Sequence, residues 1–287
     1  MMQSNSRYFT TKWNYLRNHR AFKKAPLTAI FRTIYWAVLC QLGIPATVEI
    51  PKWKCRFFLP AKFKQAGSTG IFVLREDYEP ELYYLERSLS PGSVFVDAGA
   101  NTGIYTVLAA KLVGDGGKVL SFEPGEESYQ NLDRNVKLNN LTQVKLFKSA
   151  LSDTEGTAKF YHIDNAPNSY SLGGDGSENT TYEEVATTTI DSVLNREGIE
   201  GVDFIKMDVE GAEEYVLQGA KSLFSKMRPT VLFEINEKAI DRFKLSDAGA
   251  WNFLKNLGYE FFTVKDTGEL QSVSAPQEGN ILAIPKA

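Results

Sequence analysis

Residues 94–103, VFVDAGANTG, decide the fold of this 287-residue chain. An apolar run ends in an acid, Asp97, and a loop of small residues then leads into an apolar helical segment, IYTVLAAKLV. This pattern predicts a buried parallel strand, a tight loop and a helix, the arrangement that seats nucleotide-like ligands on open α/β sheets. Gly99 and Gly103 let the backbone approach such a ligand closely. The spacing differs from the G-x-G-x-x-G of pyrophosphate-binding loops, so the acid at the strand tip is expected to face a cationic ligand.

Downstream of this stretch, predicted strands and helices alternate, which is typical of a parallel sheet with helices on both faces. Further strands are predicted at 118–123, 144–151, 202–208, 230–235, 259–265 and 280–285, with helices at 126–138, 212–225 and 246–257. The last two strands have no helix between them and must be antiparallel. Residues 153–182 are predicted to form a long loop, and loops of this length are usually functional or disordered. A short edge strand is expected at 187–190, followed by a helix capped by Asp191 or Ser192.

The first 78 residues are predicted to form an appendage, with the main domain at 79–287. Residues 29–44 are apolar nearly all round but shorter than the roughly 20 residues of a membrane span. We expect this helix to pack on the domain; the alternative is an interfacial helix whose basic flanks touch a membrane surface. Residues 47–75 alternate apolar and polar side chains, and together with the apolar run at 71–74 they predict a small antiparallel sheet.

Charge is unevenly distributed along the chain. Residues 1–48 contain seven Lys or Arg and no acid, which leaves 25 basic and 35 acidic residues, a net charge of −10, in the remainder. An acidic body argues against a broad nucleic-acid footprint. The two cysteines, Cys40 and Cys55, are too few for a disulfide framework and lack metal-ligand spacing, so a reducing, cytoplasmic location is expected.

Acidic residues end successive predicted strands, where ligands bind on open α/β sheets. These residues are Asp97, Glu123, Asp153 and Asp208. Glu123 follows Gly99 by 24 residues, close to where a carboxylate accepts hydrogen bonds from both hydroxyls of a ribose. Ser152 and Asp153 are expected beside an adenine ring.

A second informative stretch is IKMDVEGAEEYVLQGA, residues 205–220. Lys206 is a cation within an otherwise apolar strand and lies two residues from Asp208, so it either forms a structural ion pair or perturbs the pKa of a neighbour. Glu210 is expected to face the reaction cavity. Glu213, in the first turn of a helix, suits the helix dipole.

Together these motifs resemble the FkbM family of class I S-adenosylmethionine-dependent methyltransferases. The match comprises VDAGANTGIYT, FEP, ALSD and IKMDVEGAE, at the first four strands. The resemblance implies a Rossmann-like, seven-stranded sheet with its last strands antiparallel, and O-methylation of a glycan, a glycoside or another small natural product. The cofactor site would comprise Asp97, Gly99, Ala100, Asn101, Gly103, Glu123, Ser152, Asp153 and Asp208.

Methyl transfer to a hydroxyl requires alignment of the acceptor and removal of its proton. Candidate catalytic residues are Asp208, Glu210, Lys206 and Glu234, with His162 a weaker candidate. His19 lies in the basic N-terminal segment and is expected at the surface. Asp208, Glu210 and Glu234 are also a candidate Mg²⁺ ligand set, whereas no His/Cys cluster suggests zinc.

Other classes fit these motifs less well. Amino-group nucleic-acid methyltransferases carry an N/D-P-P-Y/F turn after the fourth strand, where this chain has DVEG. The loop spacing disfavours a nicotinamide dehydrogenase. The non-enzymatic alternative is a catalytically silent methyltransferase fold that acts as a binding or scaffold module at a membrane surface; the intact pocket motifs argue against it.

Overall fold

The structure, a computed structural model, describes residues 16–63, 65–162, 170–174 and 181–286. The strands are β1 (Ala46–Ile50), β2 (Cys55–Leu59), β3 (Val94–Ala98), β4 (Lys118–Phe122), β5 (Val144–Phe147), β6 (Ala150–Leu151), β7 (Gly156–His162), β8 (Tyr170–Ser171), β9 (Tyr182–Thr188), β10 (Phe204–Met207), β11 (Thr230–Ile235), β12 (Tyr259–Val264), β13 (Leu270–Val273) and β14 (Gly279–Pro285). The helices are α1 (Arg20–Lys24), α2 (Pro26–Gln41), α3 (Ala66–Leu74), α4 (Glu81–Ser88), α5 (Ile104–Val113), α6 (Glu126–Leu138), α7 (Ile190–Glu197), α8 (Glu213–Gln218), α9 (Lys221–Lys226), α10 (Glu237–Asp241) and α11 (Gly249–Asn256).

The main sheet has the strand order β13-β12-β14-β11-β10-β3-β4-β5. Strands β11, β10, β3, β4 and β5 are parallel, whereas β14, β12 and β13 run antiparallel to their neighbours. The predicted α/β fold class with antiparallel last strands is therefore confirmed. The sheet has one strand more than the seven predicted, because the connection after β12 folds back on it as β13.

Both faces of the main sheet are covered by apolar side chains. Consecutive residues of a strand point to opposite faces, so Phe95 and Phe204 belong to one buried cluster and Val96 and Ile205 to the other. The first cluster also contains Trp36 of α2, although this residue precedes the proposed boundary at 78. The boundary itself stays a prediction.

Helix α2 packs on α3, which lies within the predicted appendage at 1–78; packing of α2 on the domain at 79–287 stays a prediction. Trp36 is fully buried, stacks on Phe72 with ring centroids 4.6 Å apart, and donates from Nε1 to Thr69 Oγ1 at 2.8 Å. The run at 71–74 was predicted to be extended, and that prediction is wrong, because it forms the last turn of α3. All four of its side chains are buried, and a short, fully apolar run does not by itself distinguish a strand from a helix.

The outer edge of β2 is covered by α6. Asn135 Oδ1 accepts from Phe58 N at 2.6 Å, and its Nδ2 donates to Phe58 O at 3.3 Å. One helical turn later, Asn139 makes the same pair of bonds with Arg56, at 2.8 and 2.6 Å. Asn135 Nδ2 also donates to Thr102 O at 2.9 Å. Side-chain amides thus satisfy the backbone groups that a third strand would otherwise pair.

A second sheet, of order β6-β9-β7-β8, lies beyond β5. The predicted strand at 144–151 is divided between the two sheets, since β5 pairs with β4 and β6 pairs with β9. The predicted loop at 153–182 contains β7 and β8, while its residues 163–169 and 175–180 lie outside the described residues. The strand expected at 187–190 corresponds to the end of β9, which runs from Tyr182 to Thr188. The prediction that it lies at a sheet edge is wrong, because β9 pairs with β6 on one side and with β7 on the other.

Helix capping on this side differs from the prediction. Thr189 caps α7, accepting at Oγ1 from Ser192 N at 3.0 Å. Asp191 instead accepts from Ser222 N and Leu223 N, at 2.7 and 2.9 Å, in the first turn of α9. Its carboxylate therefore satisfies donors of a different helix. The helix predicted at 212–225 is correspondingly divided into α8 and α9.

Candidate active site

An open cleft lies at the carboxyl ends of β3, β4 and β10 and encloses about 630 Å³, including its solvent-filled mouth. It is lined by Gly99, Asn101, Phe122, Glu123, Pro124, Ser128, Ser149, Ala150, Leu151, Phe160, Leu172, Asp208, Val209 and Glu210. Its walls therefore combine the loop after β3 and the turn after β10 with side chains of the second sheet. Of the sequence-predicted residues, Gly99, Asn101, Glu123, Asp208 and Glu210 come together here.

The glycine loop is shaped by close packing against β10. Gly99 has φ +74°, and a Cβ at this position would overlap the carbonyl oxygen of Asp208. Gly103 has φ +89°, and its Cβ would lie 2.6 Å from Leu132 Cδ1. The amides of Gly99 and Ala100 both donate to Phe122 O at 3.0 Å. Only glycine meets both requirements, positive φ and lack of space, at these two positions.

Glu123 follows β4 and is buried in the cleft wall. Its Oε2 accepts from Asn101 N at 2.8 Å and its Oε1 from Gly125 N at 3.0 Å. Burial raises the pKa of Glu123 to about 7, although both hydrogen bonds oppose this shift. A carboxylate has about four acceptor positions, so two remain for a ligand. The backbone contact with Asn101 also ties Glu123 to the glycine loop.

Asp97 lies behind the glycine loop and is not among the described residues that line the cleft. Its carboxylate is fully buried; Oδ2 accepts from Thr106 Oγ1 at 2.6 Å and Oδ1 lies 3.5 Å from Lys206 Nζ. Lys206 Nζ donates to Gly99 O at 2.9 Å. The acid expected to face a cationic ligand therefore faces the chain's own lysine, which in turn holds the loop.

Lys206 is 7% exposed and is surrounded by acids. Burial by itself lowers the pKa of its ammonium, but the negative charges of Asp97, Asp208 and Glu79 outweigh this and raise the pKa. The Nζ also lies 3.8 Å from Asp208 Oδ2. Lys206 thus stays protonated at neutral pH and acts as a structural cation, one of the two roles open from the sequence.

The turn after β10 presents two carboxylates to the cleft. Asp208 is half exposed, and its amide donates to Ala98 O at 3.0 Å. Glu210 has φ +55°, and its carbonyl oxygen accepts from Ser171 Oγ at 3.0 Å. A Cβ at Gly211, which has φ +99°, would lie 2.5 Å from the backbone of Ala239. The turn is therefore packed closely between β10 and α10.

Glu213 stabilises the turn after β10 by accepting hydrogen bonds from its backbone amides. It is 3% exposed, and its Oε1 accepts from Val209 N at 3.1 Å and from Gly211 N at 3.5 Å. Burial raises its pKa to about 7. Glu213 therefore supports the geometry of the turn, beyond the favourable interaction with the helix dipole that its position predicts.

Glu234 lies at the end of β11 and lines a smaller hollow beside Gly211 and Glu213, not the main cleft. Burial, and then the charges of Asp208 and Glu210, raise its pKa to about 8. Glu234 is therefore mostly protonated at neutral pH.

A partly buried acid that the sequence analysis missed as a site residue is Glu79, whose Oε2 accepts from Tyr105 Oη at 2.5 Å. Burial raises the pKa of Glu79, and the charges of Asp208 and Asp97 act in the same direction. The sequence predicts a short helix at 79–89, observed as α4 from Glu81, but this pattern does not mark the Glu79 carboxylate as part of a site. Only the position of the helix beside β10 brings this carboxylate into the acidic cluster.

The residues expected beside an adenine lie just past the cleft. Ser149, Ala150 and Leu151 line it, whereas Ser152 and Asp153 are absent from the described lining. Asp153 Oδ1 instead accepts from Ser152 Oγ and Thr154 Oγ1, at 3.2 and 3.3 Å.

Neither histidine belongs to the described lining of the cleft. His162 lies on β7 with Nε2 3.9 Å from Glu183 Oε1. His19, expected at the surface, is only partly exposed, and its Nδ1 accepts from Ala21 N at 3.2 Å at the start of α1.

The Mg²⁺ hypothesis is not supported. Within the described ranges, Asp208, Glu210 and Glu234 do not form a group that could hold a metal ion, nor do any other three His, Cys, Asp or Glu residues. Glu234 is directed to the neighbouring hollow.

The strand order, the glycine loop and the acid-lined cleft define the architecture of a class I methyltransferase. A family model described as the methyltransferase FkbM domain matches residues 97–261, more than half of the chain. The chain therefore belongs to the FkbM methyltransferase family, as the sequence motifs indicated, and it is a methyltransferase.

Characterised relatives are similar over about half of this chain. Methyltransferase sdnD of Sordaria araneosa is 30% identical over 178 residues, which cover 52% of this chain and 68% of sdnD. The 31-O-demethyl-FK506 methyltransferase FkbM of Streptomyces tacrolimicus is 27% identical over 52% of this chain and 68% of that protein. The 2-O-methyltransferase NoeI of Sinorhizobium fredii is 27% identical over 48% of this chain and 61% of NoeI.

Proposed function

We propose that this protein transfers a methyl group from S-adenosylmethionine to a hydroxyl of a small acceptor, such as a glycan, a glycoside or another natural product. The observation that carries the proposal is the cleft between the glycine loop and Glu123. The loop leaves no space for a side chain at Gly99, and the buried carboxylate of Glu123 keeps acceptor positions directed at the cleft. This combination suits the ribose and sulfonium parts of the cofactor.

S-adenosylmethionine supplies an electrophilic methyl group on a positively charged sulfur. In this proposal Glu123 binds the ribose hydroxyls, and the apolar side chains of Phe122, Leu151 and Phe160 pack around the adenine. The backbone amides of Gly99 and Asn101 already donate to Phe122 and Glu123, so their carbonyl oxygens are the backbone acceptors for the amino-acid end. Lys206 and Asp97 position the loop without touching the ligand. Ser152 and Asp153 stay candidates at the rim.

The acceptor hydroxyl needs alignment and a group that takes its proton. Asp208 and Glu210 line the cleft on the side of β10, and we assign acceptor deprotonation to this pair. Glu234, with a pKa of about 8, keeps a proton at neutral pH and limits the negative charge that accumulates beside them. The two relatives whose names specify O-methylation, FkbM and NoeI, favour a hydroxyl as the acceptor group.

Cys40 and Cys55 are free thiols, and Cys55 is buried. We infer a reducing, cytoplasmic setting for the reaction.

Calorimetric titration with S-adenosylhomocysteine tests the proposal. The unmodified protein should bind it with micromolar affinity, and Glu123→Ala should weaken binding at least tenfold because two hydrogen bonds to the ribose are lost, each worth roughly 1 kcal/mol. Glu260→Ala is the control: its carboxylate is exposed and pairs with Lys286, outside the described lining of the cleft, so affinity should change less than threefold. Unaltered affinity in Glu123→Ala would remove the basis for the cofactor assignment.

A further inference from the structure

Helix α2 leaves a row of large apolar side chains in solvent. These residues are Leu27 (81% exposed), Phe31 (66%), Ile34 (60%), Tyr35 (49%), Val38 (46%), Leu42 (65%) and Ile44 (46%), here called the apolar stripe. Their spacing places most of them on one side of the helix. The stripe therefore runs the length of α2 and continues past its end.

Rotation of α2 cannot bury the apolar stripe, because the opposite face of this helix already packs against the rest of the protein. Trp36 and Ala29 are buried there, and Trp36 is hydrogen-bonded to Thr69. Arg32, the one charged residue between Lys24 and Glu49, is also directed inward and donates to Val73 O at 3.3 Å. The outer surface of α2 therefore carries no charge.

The size of the stripe is unusual for a surface that faces water. A large side chain has roughly 150–250 Å² of surface, so seven such residues that are half to four-fifths exposed leave roughly 700 Å² open. This exceeds the largest apolar patch of a typical monomer, roughly 300–600 Å². Burial of this surface against an apolar phase would be strongly favourable.

Basic residues precede the first turn of the helix in the chain. Arg17 is exposed, Lys23 is exposed with Nζ 3.9 Å from Asp266 Oδ2, and Lys24 is about half exposed and pairs with Asp77. The segment 1–48 carries seven basic residues and no acid, in contrast to the acidic remainder of the chain. Basic residues next to an exposed apolar helix face are typical of helices that lie in the interface of an anionic bilayer.

We propose that the apolar stripe docks the protein on an anionic lipid bilayer, with α2 parallel to the membrane plane. The apolar residues enter the boundary between headgroups and acyl chains, while Arg17 and Lys23 contact anionic headgroups. No helix of the described part of the chain is long and apolar enough to span a membrane. Pairing of two copies through the stripe would instead bring two positively charged segments to one interface.

Vesicle co-sedimentation with the full chain tests this proposal. Binding should be much stronger to vesicles of phosphatidylcholine with 30% phosphatidylglycerol than to pure phosphatidylcholine, since each basic residue near an anionic surface adds roughly fivefold to partitioning. Phe31→Ser with Ile34→Ser should reduce partitioning roughly 100-fold, at about tenfold per large apolar side chain. Arg17→Ala with Lys23→Ala should lower binding to anionic vesicles but not to neutral ones.

Two control variants exclude general surface effects. Tyr182→Ser removes an exposed aromatic outside the stripe, and Lys221→Ala removes an exposed cation on α9; both should sediment like the unmodified protein. The double variant Phe31→Ser with Ile34→Ser, here called the stripe variant, should keep its affinity for S-adenosylhomocysteine and its melting temperature. Loss of vesicle binding without loss of this affinity separates the proposal from the cofactor assignment. Should Phe31→Ser with Ile34→Ser melt early, Leu27→Ser, at the most exposed position, replaces it.

Two results would overturn the proposal. One is a failure of the unmodified protein to sediment with anionic vesicles. The other is a dimer in analytical ultracentrifugation that the stripe variant dissociates while vesicles bind neither form, since this would identify a second copy as the occupant of the stripe.

Discussion

Lys206→Met should destabilise the protein far more than the loss of an ordinary ion pair does. The side chains of Lys206 and Asp97 are 8% and 0% exposed, and methionine preserves most of the side-chain volume while removing the charge. Asp97 then stays as an uncompensated buried carboxylate, which costs about 3–5 kcal/mol. The hydrogen bond from Nζ to Gly99 O is also lost. For a chain of this length, a loss of about 4 kcal/mol lowers the melting temperature by roughly 7 °C.

Urea and thermal unfolding, followed by circular dichroism, measure this loss. The double variant Asp97→Asn with Lys206→Met removes both charges and should recover more than half of the lost free energy, because no buried charge then stays unpaired. Lys286→Met is the matched control: it breaks a pair of similar length, 3.8 Å to Glu260, whose partners are both more than half exposed. Its cost should stay below about 1 kcal/mol.

Two results would refute this reasoning. If Lys206→Met cost no more than Lys286→Met, the Asp97 carboxylate would not depend on the lysine. If the double variant were less stable than Lys206→Met alone, the buried charge would not be the source of the loss.

Two further predictions concern the glycine loop and two acids whose pKa values burial raises. Gly99→Ala should abolish measurable binding of S-adenosylhomocysteine, because the new Cβ overlaps Asp208 O. Gly198→Ala is the control, since Gly198 has the left-handed conformation, φ +61° and ψ +37°, with open space around it; it should cost about 1–2 kcal/mol and leave affinity intact, and equal affinity in both variants would contradict the loop assignment. Because burial raises the pKa of Glu81 and Glu234 to about 8, the folded protein binds protons that the unfolded chain releases above pH 4.5. Stability should therefore rise as the pH falls from 8.5 to 5.5, with a smaller rise in Glu81→Gln; a melting temperature that falls over this range would contradict the prediction.

Local patterns predicted the main sheet well. Helix α6 and strand β11 lie where the sequence placed them, at 126–138 and 230–235, since each has an uninterrupted pattern with turn residues at both ends. The strand predicted at 144–151 failed because Lys148 and Ser149 redirect the chain into a second sheet. That change of direction depends on pairing with β9, more than thirty residues later. A local sequence pattern cannot predict a pairing over this distance.

The candidate site was predicted only in part, because local patterns locate some of its residues and distant pairings place the others. Gly99, Glu123 and Asp208 lie at strand ends, which sequence periodicity locates, and all three line the cleft. Phe160 and Leu172 also line it, but they come from the segment predicted to be a loop. The environment of Asp97 could not be predicted either, because its position relative to Lys206 depends on the register between β3 and β10.

The amide pairing between α6 and β2 has a consequence for association between molecules. An unpaired strand edge is a template for intermolecular sheet growth, and the hairpin of β1 and β2 would present one on the side of Arg56 and Phe58. The side-chain amides of Asn135 and Asn139 hydrogen-bond the backbone groups of Phe58 and Arg56. These groups are therefore not available to pair with a strand of a neighbouring molecule. Loss of these two amides would thus convert a protected hairpin into a site for aggregation, and would at the same time release the contact of Asn135 with the loop at Thr102.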